Sequence, residues 1–123
     1  MKIEATTWVV KIGGRLCATP EGRHRFARAC AALGRPLVVV HGGGALVSDL
    51  QRTLRLEPRF ADGRRITSPR DLEVVEMVLS GSVNKALVRA LAVEGLRAVG
   101  ISGCDAGLLR CTPVAGLERV GSP

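Results

Sequence analysis

Leu37-Val38-Val39-Val40-His41-Gly42-Gly43-Gly44, set beside Trp8-Val9-Val10-Lys11-Ile12-Gly13-Gly14, decides the fold class. Each is a short apolar, β-branched run that enters a glycine turn, the pattern of a buried parallel strand whose end meets a helix. Glycine lacks Cβ, so its backbone can take unusual φ/ψ values and bring N–H groups against an anion. A helix opening from such a turn adds the positive end of its dipole. Two such turns in one chain point to a phosphate-handling α/β site.

The segments around these strands extend the pattern. Pro20 suits the first turn of a helix running to Leu33, with Phe26, Ala29, Cys30 and Leu33 at helical spacing and Gly34 as its stop. A second helix, Ala45 to Leu54, opens directly from Gly43-Gly44. The resulting β-α-β-α order is that of a parallel sheet with right-handed crossovers. Residues 57–70 hold two prolines and an Asp62-Gly63 turn signal, which predicts a loop or small hairpin projecting from the sheet. Ser68 is expected to N-cap a helix with Pro69 at its first position, Asp71 in its first turn and Leu72, Val75 and Leu79 on its apolar face. Gly81 is expected to interrupt it, a further helix to run through Val83, Leu87, Val88 and Leu91 to Gly95, and Ala98 to Ile101 to form a third strand entering the turn Gly100 to Gly107.

At 123 residues with 46% hydrophobic content the chain suits one domain with a packed core built from Val, Leu, Ile and Ala, since aromatics are only 2%. Its apolar runs are too short to cross a bilayer, and the N-terminus lacks a signal-peptide layout, so a soluble, cytoplasmic protein is expected with no membrane partner. Cys17, Cys30, Cys104 and Cys111 form no C-x-x-C pair, which signals neither a zinc site nor a disulfide framework. The formal net charge of +7 is carried almost wholly by arginine, Lys2, Lys11 and Lys85 being the lysines. The arginines are scattered, with no interleaved aromatics and no recognition motif, which argues against a nucleic-acid partner.

Lys11 inside an apolar strand is costly to bury unless paired. It either snorkels past the sheet edge or, with Gly13-Gly14 two residues on, faces a phosphate, and the second reading fits the neighbours better. Neither glycine turn matches the Walker A spacing or G-x-G-x-x-G, so a standard P-loop or dinucleotide fold is disfavoured. The run His41 to Gly44 resembles a lipase oxyanion loop, but the G-x-S-x-G elbow that would accompany it is missing. Gly43 and Gly44 are therefore the candidates for anion contact, and His41 receives no catalytic role. Arg64 and Arg65 follow Asp62-Gly63, where a guanidinium fork suits carboxylate recognition as readily as simple solvation. Asn84-Lys85 reads equally as a cap with a surface lysine or as part of a site, and Asp105 as a group bonding local amides.

Taken together and in order, Val10 to Gly14, Val38 to Gly44, Gly63-Arg64-Arg65-Ile66-Thr67, Leu72 to Gly81, Val83-Asn84-Lys85 and Ala98 to Gly103 with Asp105 resemble the amino-acid kinase family, most closely the N-terminal half of its acetylglutamate kinases. The resemblance implies a three-layer αβα sandwich with a mainly parallel sheet. Residues 1–123 would be the acetylglutamate-binding and dimerisation lobe, with the nucleotide-binding lobe lying beyond Pro123. It further implies phosphorylation of the side-chain carboxylate of N-acetyl-L-glutamate by ATP with Mg2+, a step of arginine biosynthesis. The chemistry is positioning and charge stabilisation rather than covalent catalysis. Carried over by motif, Lys11 would stabilise the transferring phosphoryl group, Gly13 and Gly14 would bind phosphate, Gly43 and Gly44 would meet the substrate through backbone N–H groups, and Arg65 would clamp its α-carboxylate; no metal-binding side chain is implied. Ala106 departs from the family's glycine after the aspartate, which touches only local turn geometry. The short segment before the first strand implies the arginine-insensitive, homodimeric form. Two alternatives stay open: a stand-alone acidic-ligand binding or regulatory module, and a sister kinase for an N-succinylated or carrier-bound acidic amino acid.

Overall fold

A computed structural model describes residues 6–116 and 119–122. The segment before the first strand, on which the expectation of a dimeric form rests, lies mostly outside them. Strand β1 (Trp8–Ile12) and strand β2 (Leu37–His41) pair in parallel with Trp8 opposite Leu37 and Ile12 opposite His41. They are joined by α1 (Gly14–Ala18) and α2 (Pro20–Leu33). Helix α2 starts where the Thr19 hydroxyl accepts from the Gly22 N–H with proline in the first turn, and it stops at Gly34, whose left-handed φ of 58° closes the last turn. Helix α3 (Gly44–Thr53) opens directly from the glycine turn after β2.

The projecting hairpin is β3 (Arg59–Ala61) with β4 (Arg64–Ile66), antiparallel, turned by Asp62 and Gly63 at φ 49° and 74°. Two consecutive positive φ values are what a two-residue turn needs to match the right-handed strand twist, which is why Asp-Gly sits there. Ser68 then caps α4 (Pro69–Glu76) in a capping box with Asp71: the Ser68 hydroxyl accepts from the Asp71 N–H, and the Asp71 carboxylate accepts from the Ser68 N–H.

Two expectations fail beyond this point. Gly81 does not interrupt the helix: Met77–Val83 is a π-helical stretch that carries α4 straight into α5 (Asn84–Val93). Widened i→i+5 turns absorb the irregularity without breaking the rod. Ala98 to Ile101 joins no ladder, and the described parallel sheet has two strands rather than three. The carbonyls of Gly100 and Ile101 are taken by the side chains of Lys85 and Asn84 instead of by strand amides. A small antiparallel pair, β5 (Thr112–Pro113) with β6 (Gly121–Ser122), follows and is tied back where the Arg119 N–H donates to the Thr67 carbonyl at 2.9 Å.

The helices lie on one face of the β1–β2 ribbon. Ile12 joins Cys17, Val47, Val74, Val78, Val83 and Leu87 in the main core, while Ala27, Cys30, Ala90 and Leu91 form a second cluster between α2 and α5. The other face carries Val9, Lys11, Val38 and Val40, all exposed. The sequence pattern reads as strands buried on both sides; among the described residues only one side is covered. The described architecture is α/β with a parallel strand pair under a single helical layer.

Candidate functional site

The two glycine turns meet. A Cβ on Gly14 would stand 3.7 Å from both the N and the Cα of Gly43, so the N-terminal ends of α1 and α3 lie side by side. Gly43 lies close against the π-helical stretch: a Cβ there would come within 2.8 Å of the terminal Cδ2 methyl of Leu79 and 3.3 Å of the Val83 side chain. That close approach presses α3 onto the helix rod and fixes where its first amides point. Neither helix start carries a side-chain cap, so among the described residues the opening N–H groups of α1 and α3 have no capping side chain as partner.

Arg65, on β4, is brought to the same place by the hairpin. Its Nη2 donates to the Gly44 carbonyl at 2.9 Å and to the Ser48 hydroxyl at 2.8 Å, its Nη1 donates to Gln51 Oε1, and its guanidinium stacks over the Phe60 ring at 4.7 Å. Gln51, fully buried, passes the contact on: Nε2 donates to Asp71 Oδ1 at 2.6 Å. The Asp71 carboxyl is held below the usual carboxylate range, first by the Ser68 hydroxyl, which donates at 2.7 Å, and then by Gln51, against the opposing effect of burial. Burial lowers the Arg65 pKa and Asp71 raises it, which leaves a guanidinium charged at any working pH. Arg64, the first of the pair, is exposed, and the register of the hairpin alone decides which arginine turns inward.

A guanidinium at the N-terminus of a helix is like charge against the positive dipole end, tolerable when an anion is shared between them. Arg65 keeps donor capacity beyond the three bonds above, and the adjoining amides of α3 add more. The arrangement can therefore take a carboxylate or phosphoryl oxygen at the mouth of the paired turns.

Lys11 is placed differently. It stands on the uncovered face of β1 opposite Val40, with no hydrogen bond or ion pair to Arg65 or to the glycine turns among the described residues. It is thus one residue past Val10 and two before Gly13, close along the chain yet on the other side of the ribbon from the core. Of the residues singled out from sequence, Gly14, Gly43, Gly44 and Arg65 are brought together, Gly13 sits at the start of α1, and Lys11 stands on the exposed face of β1. Among the described residues no group of three or more His, Cys, Asp or Glu side chains could hold a metal ion.

Sequence reasoning missed Ser48 and Gln51, the residues that seat Arg65. Their signal was present: polar residues three apart on the same stripe of α3 as Val47, a stripe the sequence otherwise fills with apolar side chains.

Comparison with known proteins gives concordant results. The amino acid kinase family model matches residues 6–121. The chain is 41% identical to an acetylglutamate kinase of Ruegeria sp. (strain TM1040) over 119 residues, covering 94% of this chain and 42% of that protein. It is 47% identical to one from Paracoccus denitrificans (strain Pd 1222) over 108 residues, covering 85% and 36%. A Chloroflexus aurantiacus acetylglutamate kinase is 41% identical over 94% of this chain and 47% of its own length. The chain thus spans less than half the length of these curated relatives. Among solved structures, smu.665 from Streptococcus mutans UA159 superposes with a TM-score of 0.62 at 30% identity over 73% of this chain and 37% of that one. An N-acetylglutamate synthase from Neisseria gonorrhoeae, complexed with coenzyme A and N-acetyl-glutamate, gives 0.60 at 26% identity over 76% and 22%.

Proposed function

This chain belongs to the amino acid kinase family, and from that premise we propose that it is the acceptor-binding part of an acetylglutamate kinase, which passes the γ-phosphoryl group of ATP to the side-chain carboxylate of N-acetyl-L-glutamate in arginine biosynthesis. The observation that carries this is Arg65, pinned by Gly44, Ser48 and Gln51 against the start of α3, where the two glycine turns touch. Relatives at 41–47% identity bearing that name support it.

Arg65 takes the α-carboxylate of the acceptor with the donors it has left. The amides of Gly43 and Gly44 orient the acceptor, and those of Gly13 and Gly14 meet the phosphoryl oxygens. Lys11 neutralises charge as the phosphoryl group moves. A carboxylate attacking an anionic phosphoryl group needs this kind of fixed positive surround, since no covalent relay is involved. ATP arrives with Mg2+ on its phosphates, and its adenosine half is held by a complementary lobe that this part of the chain does not contain. That lobe also lays a second helical layer over Val9, Lys11, Val38 and Val40, which completes the three-layer sandwich and brings Lys11 to the reacting centre. The working protein is a cytoplasmic homodimer on this reading.

The test is acyl-phosphate formation, trapped as the hydroxamate, with the chain alone and joined to a nucleotide lobe from a relative. We expect no product alone and product when joined. In the joined protein Arg65→Ala should raise the acceptor KM by about 10- to 100-fold, and Lys11→Ala should lower kcat by about 100-fold or more. N-acetyl- and N-succinyl-glutamate offered side by side separate this enzyme from a sister kinase. A joined protein that binds acetylglutamate by calorimetry yet forms no acyl phosphate would instead favour a binding module, since the residues around Arg65 lie wholly within this chain.

A further inference from the structure

Asn84 opens α5 and is buried, yet none of the roles assigned above uses it. Its Nδ2 donates to the Ile101 carbonyl at 3.3 Å and faces Nε2 of His41 at 3.5 Å. Its Oδ1 accepts from Lys85 Nζ at 3.1 Å, and the same ammonium donates to the Gly100 carbonyl at 3.0 Å. The amide orientation is over-determined. Turned over, Oδ1 would face the Ile101 carbonyl and Nδ2 would face the ammonium, acceptor on acceptor and donor on donor. The same polarity continues through His41. Its Nδ1 lies 3.3 Å from the Gly42 carbonyl, which can only accept, so Nδ1 carries the proton and Nε2 is left to accept from Asn84. Gly100 has to be glycine for the amide to sit there, because a Cβ would fall 1.9 Å from Oδ1. The segment beyond is itself folded tightly: the Asp105 carboxylate accepts from the Ser102 N–H at 2.6 Å and from its hydroxyl at 2.9 Å.

We propose that Asn84 is a positioning residue that locks the His41-to-Gly44 turn and the Gly100-to-Asp105 turn in one relation, with Lys85 as its backing cation. The side chain reaches the first turn through His41 and the second through Ile101, so neither turn can shift without breaking a bond to the same amide. The proposal rests on the acceptor-site reading above, which gives the fixed placement of the Gly43 and Gly44 amides its catalytic consequence.

The test is read on this chain without turnover. Long-range proton–nitrogen NMR at about pH 8.5, well above the ordinary histidine range, should show His41 as the neutral Nδ1-protonated tautomer, with His24 as the internal reference. Asn84→Asp offers Nε2 only acceptors and should move the proton to Nε2. Gly100→Ala evicts the amide and should give a mixture of tautomers. In both variants amide exchange at Val47, whose N–H donates to the Gly43 carbonyl, and at Ser102 and Asp105 should quicken by about tenfold, while Ala27 and Cys30 inside α2 keep their protection. An unchanged tautomer in both variants, or exchange that rises uniformly through the core, overturns the proposal. Should Asn84→Asp fail to fold, Gly100→Ala and Lys85→Ala decide the matter, since both keep Asn84 itself. Failure of the kinase reading would show as missing acyl phosphate in the joined protein and would leave these spectra as they are.

Discussion

Lys11 and Ile12 are neighbours on β1, and the two faces of the ribbon they occupy have opposite surroundings. Ile12 is 1% exposed beneath the helices, in one cluster with Cys17, Val47 and Val74. Lys11 shares the other face with Val9, Val38 and Val40, which are 71%, 50% and 49% exposed. Sheets bury apolar faces against another layer, and a valine-rich face left open is half of a core. The division runs through the site as well. Arg65, Gly43 and Gly44 hang on the finished side, seated by Gln51, Ser48 and Leu79. Lys11 stands on the unfinished side. On the reading proposed above, the part that would recognise the acceptor is preassembled in this chain, whereas the part that would answer the phosphoryl charge depends on whatever covers the open face.

The comparison is broken most forcefully at Ile12. Truncation to alanine on the covered face leaves a cavity among residues that cannot all collapse into it, and should cost about 3 kcal/mol. The shift in urea midpoint at constant slope measures it. A loss under about 1 kcal/mol would mean that the covered side is no better packed than the open one.

Next in size is the polar support of Arg65. Asp71→Ala removes the second half of the capping box and leaves the buried Gln51 amide without its acceptor, at a cost of about 2 kcal/mol. Its pH dependence has a definite sign. The Asp71 carboxyl titrates lower in the folded chain than its unfolded value of about 3.9, because Ser68 and then Gln51 bond the charged form. The stabilisation is thus complete above the unfolded value and fades as pH falls through the folded one. Denaturation curves of the parent and of Asp71→Ala should differ at neutral pH and converge in acid. A difference that persists undiminished in acid would assign the effect to packing instead.

What the sequence made legible follows from how local each signal is. Asp62-Gly63 is a turn signal for a loop or small hairpin, and Ser68-Pro69 with Asp71 announces a helix start, since both depend on backbone chemistry within four residues. Arg65 was separable from Arg64 only by the family motif, because its inward direction depends on hairpin register. Gln51 carries no motif, and its role exists only once α3, β4 and α4 are in place. The π-helical stretch was hidden because Gly81 reads as a breaker wherever no partner helix is known. Ala98 to Ile101 reads as a strand entering a glycine turn, but a strand also needs a free ladder, and here Asn84 and Lys85 hold the carbonyls of Ile101 and Gly100. The continuous run Leu37 to Val40 reads as buried on both faces; within the described residues it is buried on one, and the pattern describes a more complete sheet than they contain.

The smallest expected effect sharpens the comparison from the open side. Val38→Thr with Val40→Thr keeps β-branching and near-identical volume while making the exposed face polar, so strand propensity is preserved and only the medium next to the side chains matters. In this chain they already stand in solvent, and the double variant should change stability by less than about 0.5 kcal/mol. If a complementary lobe covers this face as proposed, the same pair should weaken assembly with it, because hydroxyls without partners would then be buried against its helices. Denaturation of the chain alone and titration with a separately supplied lobe measure the two effects. A stability loss above about 1 kcal/mol in the chain alone would show that these valines are already covered and that the open face is not a half-core. An unchanged titration would leave Lys11 without a layer to bring it to the reaction.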